Sequence, residues 1–304
     1  MNKITTLLLL ALCCFNLSAE EQTVQDNFLV TDDGTELFVK KSGQGPVCIF
    51  IHGGPGAWSQ SFEQLKGNRL EDQLTMIYYD QRGSGRSAKS KSGDYSLDRM
   101  VKDIELIRQH YHASDIYLMS HSFGGILAVN YAQHFPEHIK GLILANSTLN
   151  LTYSLNNQID YVNQLLGTDF KPSDNRPDSV MSTFMQARKA LSDKGLSYKV
   201  LSGQQSSVEL VNAIDEKSPS DYDFSKHAFQ IDDYWQDYTT ITAQIEVPTL
   251  VISGMQDHSV GEQHYQSFHF SHMQIKQIDG GHLLYYENSD PFIQSVFEFV
   301  QRTK

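Results

Sequence analysis

The stretch Ile116-Tyr117-Leu118-Met119-Ser120-His121-Ser122-Phe123-Gly124-Gly125, followed by the apolar run Ile126 to Ala132, constrains the fold more than any other part of the chain. Ile116 to Met119 read as a short buried strand. The small residues around Ser122 leave room only for a sharp turn, and Ile126 to Ala132 have the apolar face of a buried helix. A strand that turns sharply into a helix holds a serine hydroxyl above the end of a sheet. It also leaves the N–H of Phe123, at the start of the helix, free to face the group under attack. The small residue two before Ser122 is Ser120 where glycine is usual, which the turn accommodates at some cost in backbone strain. An ordinary strand–helix junction is the alternative that this segment alone leaves open.

Other segments supply what a serine nucleophile lacks. Pro46 to Ile51 is a second apolar strand, and His52-Gly53-Gly54-Pro55-Gly56 makes a tight turn at its carboxyl end. Adjacent glycines leave backbone N–H groups uncovered by any Cβ, so Gly54 or Gly53 is a candidate partner to Phe123 in holding an oxyanion. Thr249 to Ser253 is a third strand, with Asp257 just beyond it. Met273 to Ile278 is a fourth, with His282 on the next loop. A hydroxyl is a weak nucleophile near neutral pH and needs a base. The imidazole of His282, with an ordinary pKa of about 6.5, can take and return the proton. Asp257 would fix its tautomer and stabilise the imidazolium. A loop-capping role for the acid and a surface position for the histidine are the alternatives for each alone. His121 is read as a support for the turn, and His264, His269 and His272 as surface histidines rather than metal ligands.

The chain order Ser122, Asp257, His282 is that of the α/β hydrolases. His52 to Gly56, then Tyr79-Asp80-Gln81-Arg82-Gly83-Ser84-Gly85-Arg86-Ser87, then the turn at Ser122, resemble the proline iminopeptidase branch of that superfamily. The resemblance covers about Phe28 to Asn146 and resumes near Pro248. It implies an α/β fold, a mostly parallel sheet flanked by helices with an inserted, mainly helical cap. It further implies metal-independent, cofactor-free removal of an N-terminal residue, often proline, from short peptides. The chain departs from the branch in having Phe123 where Trp is common, and His258 where some relatives place a Glu. An esterase, lactonase or amidase using the same residues is the nearest alternative, and a non-catalytic binding protein on the same fold is the next.

With 304 residues the chain is long enough for one catalytic domain carrying an insertion. Residues 23–146 and 241–304 read as the core, and 147–240 as the cap, where the strand–helix rhythm is lost. Asp32-Asp33-Gly34 suggests a hairpin, Ser96 caps a helix toward His110, and Asp290 with Pro291 open the last helix. In the cap, the segment from Asp215 to Asp237 interleaves acids with aromatic residues. Asp221, Asp223, Asp232 and Asp233 are therefore the candidates for a carboxylate that reads a substrate ammonium group, and a solvated acidic face is the alternative. The net charge of −12 argues against nucleic acid and other polyanions as partners, leaving a small peptide or other small acyl compound.

Lys3, the apolar run from Ile4 to Phe15 and Leu17-Ser18-Ala19 read as a signal peptide over residues 1–19. The expected product is periplasmic or secreted, with no lasting membrane span and with Cys48 as its sole cysteine. A lipidated Cys13 is the alternative. Gly83-Ser84-Gly85-Arg86-Ser87-Ala88 imitates a dinucleotide fingerprint, but a polar loop follows where that motif requires a helix, so Arg82 and Arg86 read as loop-structuring donors. Asn146-Ser147-Thr148 and Asn150-Leu151-Thr152 match glycosylation acceptors.

Overall fold

A computed structural model describes residues 27–220 and 222–303, so the expected signal peptide lies outside the described residues. The eight strands are β1 Phe28–Val30, β2 Glu36–Gly43, β3 Val47–Ile51, β4 Thr75–Tyr79, β5 Ile116–Ser122, β6 Ile139–Ser147, β7 Thr249–Gly254 and β8 Met273–Ile278. They form one sheet in the order β1-β2-β4-β3-β5-β6-β7-β8. The first two pairings are antiparallel and all the others parallel, which is the mostly parallel sheet expected from the strand–helix alternation. The β1–β2 turn runs through Asp32-Asp33-Gly34. Gly34 there adopts φ 80° and Thr31 N–H donates to Thr35 O at 2.9 Å.

The helices are α1 Ser59–Gln64, α2 Leu97–His110, α3 Gly124–His134, α4 Leu151–Leu166, α5 Pro177–Asp193, α6 Gln205–Asp215, α7 Asp223–Ala228, α8 Leu284–Glu287 and α9 Ser289–Arg302. Strand side chains alternate between two faces, and each face is buried by its own helices. Ile49, Ile51, Leu118, Leu142 and Leu144 pack with Met100, Ile104 and Ile107 of α2 and the apolar residues of α3. Their neighbours Cys48, Phe50, Met119 and Ile143 pack on the opposite face with Phe62 of α1 and Phe292, Val296 and Val300 of α9. Ser96 caps α2 by accepting the Arg99 N–H at 3.3 Å. The last helix starts earlier than expected, at Ser289 after Asn288. Asp290 lies in the first turn, where its carboxylate takes the Arg69 Nη1 at 2.6 Å, and Pro291 falls among residues whose N–H groups need no intrahelical acceptor.

Between β6 and β7 lie α4 to α7 and short 3₁₀ turns, with no strand among the described residues. Ile159, Val162, Ala187, Leu191 and Val200 make a small core of their own there. The later part joins the main core, because Phe224 and Tyr234 are fully buried against Phe123 at ring-centroid distances of 5.9 and 5.3 Å. No helix among the described residues is long and apolar enough to cross a membrane.

The glycine-rich loop after β4 is braced by charge. Arg82 is fully buried; its Nε and Nη2 donate to Asp103 at 2.7 and 2.8 Å, and its Nη1 to Asp33 at 2.8 Å. This agrees with a loop-structuring arginine, and no helix follows the loop until Leu97. Replacing Arg82 with Met leaves Asp103 buried with one arginine fewer to offset its charge. Removing one partner of such a pair costs about 3–5 kcal/mol. Urea unfolding of Arg82→Met is expected to show a loss of that order, and a change within about 0.5 kcal/mol, the range of an ordinary surface site, would contradict the assignment.

Candidate active site

Every element that carries a candidate residue ends at the same edge of the sheet. Ser122 terminates β5 and His52 follows β3, while Asp257 and His282 lie on the loops after β7 and β8. Parallel strands present their carboxyl ends together, so residues far apart in sequence converge there.

Ser122 has φ 55°, a left-handed conformation that costs a non-glycine residue about 1–3 kcal/mol. Its surroundings hold it in place. Thr148 N–H donates to Ser122 O at 3.0 Å. The buried Ser120, where glycine is usual, satisfies its hydroxyl on Ser147 Oγ at 2.9 Å. A side chain at Gly124 would meet the Ile51 carbonyl oxygen at 2.6 Å, and one at Gly53 would meet Ser122 Cβ at 2.7 Å and Oγ at 3.3 Å. Glycine at both positions lets β3, its loop and the serine turn approach this closely. Among the described residues the N–H groups of Gly53, Gly54 and Phe123 meet no acceptor, which leaves them available to a ligand oxygen.

His282 and Asp257 are both buried, and His282 Nδ1 lies 2.9 Å from Asp257 Oδ2 and 3.1 Å from Oδ1. With Nδ1 donating to the carboxylate, Nε2 is the nitrogen left for Ser122. Asp257 Oδ1 also accepts the N–H groups of Ser259 and Val260, at 2.9 and 3.2 Å. The arrangement can deprotonate a hydroxyl and stabilise the resulting imidazolium.

The glycine loop after β3 and the loop after β4 form one unit, which explains why the two motifs occur together. His52 Nε2 accepts the Gln81 N–H at 2.9 Å, and Gln81 Nε2 donates to His52 O at 2.8 Å. Asp80, fully buried, accepts from the Ser59 N–H at 2.9 Å and from Arg86 Nε at 2.7 Å. Burial alone would raise the Asp80 pKa, but the Arg86 hydrogen bonds win and hold it below the ordinary carboxylate range.

Two residues beside the candidates have roles that the sequence reading did not resolve. Asn146, at the end of β6, is buried with φ 44°, a conformation asparagine tolerates. Its Oδ1 accepts the Gly254 N–H at 2.7 Å, and its Nδ2 donates to Gly281 O and His282 O at 3.0 and 3.1 Å. One side chain thus clamps the loop bearing Asp257 to the loop bearing His282. It is not a surface acceptor for a glycan, and Asn150 caps α4 through the Tyr153 N–H at 2.9 Å. His121 places Nε2 3.0 Å from the same His282 carbonyl, with the rings 4.5 Å apart. Desolvation and the adjacent His282 pull the His121 pKa down to about 3. His264 is a correction: expected at the surface, it is buried and accepts the Leu149 N–H at 2.9 Å through Nε2. Burial holds its pKa at about 4. His269 and His272 are exposed, and the described residues contain no cluster of metal-ligating side chains.

Ser122 and His282 open into a cavity of about 250 Å³ walled by Phe50, Trp58, Phe62, Val211, Leu283 and Tyr285. Among the described residues the one carboxylate in its wall is Asp215, at the end of α6. Asp215 Oδ1 accepts from Trp58 Nε1 at 2.8 Å and from Ser61 Oγ. Burial raises its pKa, and the two hydrogen bonds only partly offset this. The acids singled out in sequence are placed elsewhere. Asp223 accepts from Tyr95 Oη and lies 3.8 Å from Lys89 Nζ, while Asp232 and Asp233 face solvent. Asp221 lies outside the described residues. The reason for the correction is packing: Phe224 and Tyr234 turn into the core, and the acids between the aromatic residues are left on the outer side.

This fold and site define an α/β hydrolase: the family model for the alpha/beta hydrolase fold matches residues 46–289, and the chain belongs to that family. Within it, the proline iminopeptidase of Thermoplasma volcanium is 32% identical over 107 residues, which are 35% of this chain and 36% of that relative. The chain thus matches only about a third of the length of such relatives. The cis-3-alkyl-4-alkyloxetan-2-one decarboxylase of Shewanella oneidensis is 28% identical over 297 residues, 90% of this chain and 87% of the relative. A proline iminopeptidase-related protein from Thermus thermophilus shares the fold with a TM-score of 0.74 at 21% identity, covering 90% of this chain and 96% of the other.

Two expectations follow. Asn146→Ala frees both loops without touching the reacting atoms, and displacements of about 1 Å can cost about 10²-fold in rate. Its kcat is expected to fall between ten- and a hundredfold with little change in KM, measured on any turned-over ester, and an unchanged kcat would remove the clamp from the account. The second concerns acid. His52, His121 and His264 all have lowered pKa values when folded, whereas the unfolded chain titrates them near about 6.5. The unfolded chain therefore binds more protons below that pH, and stability falls as pH drops from about 6.5 toward 4. Urea midpoints at pH 7.5 and 5.0 should differ in that sense, and less so in His264→Gln; a higher midpoint at pH 5.0 would contradict this.

Proposed function

We propose that this protein is a serine hydrolase that releases an N-terminal residue from short peptides through an acyl-enzyme at Ser122. His282 Nε2 takes the hydroxyl proton as Ser122 attacks the scissile carbonyl. Asp257 holds the imidazole in the required tautomer and offsets its positive charge. The N–H groups of Phe123 and of Gly53 or Gly54 receive the oxyanion, a contribution worth about 10²–10³ in kcat per donor. His282 then returns the proton to the leaving amine, and water attacks the ester with the same residue as base. No metal or cofactor takes part in these steps.

The observation that carries the aminopeptidase reading is Asp215, a carboxylate set into an otherwise largely aromatic and aliphatic wall of the cavity that Ser122 lines. A small apolar N-terminal residue, proline included, suits that wall, and Asp215 supplies an anion for its primary or secondary ammonium group. The likeness to proline iminopeptidases over about a third of the chain supports the same reading. The predominance of apolar groups in the cavity also suits an esterase or lactonase acting on an uncharged acyl group, and this is the second reading.

Paired substrates separate the two. Proline and alanine arylamides with free amines are expected to be cleaved with far lower KM than their N-acetyl counterparts. Asp215→Asn keeps an oxygen for Trp58 and Ser61 but loses the charge, and should raise KM for the free amines by about 10- to 100-fold, a charged hydrogen bond being worth about 1.5–3 kcal/mol. Because burial raises the Asp215 pKa, the preference for free amines should weaken as pH falls toward that raised value, where the carboxylate is protonated. Equal rates on free and acetylated substrates would overturn the aminopeptidase reading and leave the esterase one.

A further inference from the structure

A second cavity, of about 320 Å³, lies in the cap between α5, the turn at Ser197–Val200 and α6. Its volume is within the range of small-molecule sites. Arg188 of α5 lines it, with Tyr198, Leu201, Gln205, Val208 and Asn212. Arg188 Nη1 is buried and has no hydrogen-bond partner. Among the described residues no carboxylate lies within ion-pair reach of the Arg188 guanidinium, and no aromatic ring lies beneath it. Burial also pulls its pKa below the ordinary guanidinium value, with no neighbouring charge to offset the penalty. The arginines that are buried further or to a similar extent are matched: Arg82 to Asp103 and Asp33, Arg99 to Asp103 and Asp32, Arg108 to Glu105. A buried polar group left unpaired is costly, and a site where a ligand completes the pairing accounts for it.

The lining narrows the ligand. It offers one cation, the neutral amides of Gln205 and Asn212, and apolar walls from Val208, Leu201 and Tyr198. Glu209, at the exposed rim, is occupied by Gln205 Nε2 at 2.8 Å and would repel a dianion. A guanidinium fork matches the two oxygens of a carboxylate. We propose that the Arg188 cavity is a binding site for a small organic monocarboxylate bearing an apolar group. The site adjoins the acyl cavity: Leu201 lines both, and its carbonyl accepts the His282 N–H at 2.8 Å. The carboxylate has two possible sources, the free C-terminus of a short peptide substrate or a separate acid. The site itself does not depend on the aminopeptidase reading.

The test uses Ser122→Ala protein, which cannot turn over, titrated calorimetrically with 4-methylpentanoate and with its neutral amide, 4-methylpentanamide. The carboxylate is expected to bind at least tenfold more tightly than the amide. Arg188→Met in the same background is expected to abolish that difference while unfolding at a temperature no lower than its parent, since it removes a half-buried charge that has no partner. Equal binding of carboxylate and amide to the parent protein, a comparison that needs no Arg188 variant, would overturn the proposal. So would an Arg188→Met protein that binds the carboxylate as its parent does. In the Ser122 enzyme, peptides with free and amidated C-termini then identify the source. A KM advantage for the free acid that is lost in Arg188→Met assigns the site to the substrate, and no advantage assigns it to a separate acid.

Discussion

Ser122 can stand above the sheet only because its backbone is held at φ 55°, and much of the surrounding structure is arranged to keep it there. The conformation is unfavourable for a residue with a Cβ, so it persists only where neighbours over-determine it. Gly53 and Gly124 provide that by absence, since a methyl group at either would collide with Ser122 or with the end of β3. Ser120 and Ser147 provide it by hydrogen bonding across β5 and β6. The strain at one residue thus explains small side chains at several positions that are separate in the sequence.

The candidate base, His282, is positioned by a different device. Asn146 joins the end of β7, just before the loop bearing Asp257, to the loop after β8, and the segment between β6 and β7 completes the fixing through the Leu201 carbonyl on the His282 N–H. Ser202 of the cap also donates to Glu287 in α8, and Asp215 reaches Trp58 and Ser61. The segment between β6 and β7 is therefore part of the frame of the candidate site as well as a wall of its cavity. A residue that changes how the cap sits is expected to alter both the acyl group accepted and the orientation of the imidazole.

The core and the three candidate catalytic positions were legible because each depends on a local signal: an apolar run of strand length, followed by a residue type with its own chemistry. Chain order then connected them. The cap was less legible because its signal was compositional. Acids interleaved with aromatic residues between Asp215 and Asp237 do not reveal which face turns inward, and packing of Phe224 and Tyr234 decided that Asp223, Asp232 and Asp233 face away from the cavity. Asp215 became distinct only once α6 was laid against Trp58, 157 positions away in the chain. Asn146 carried a misleading local signal, a glycosylation motif, whereas its three hydrogen bonds reach the end of β7 and the loop after β8, more than a hundred residues distant. His264 sits in a polar stretch that reads as surface, and its burial follows from tertiary contact with Leu149 and Tyr153.

The central claim, that Ser122 is a nucleophile activated by His282, is tested most directly by reacting the folded protein with a fluorophosphonate and locating the adduct by peptide mass spectrometry. The account predicts a single stoichiometric adduct on Ser122, absent from Ser122→Ala and formed at least a hundredfold more slowly in His282→Gln. Folded protein that remains unlabelled, or an adduct that persists in Ser122→Ala, would contradict it.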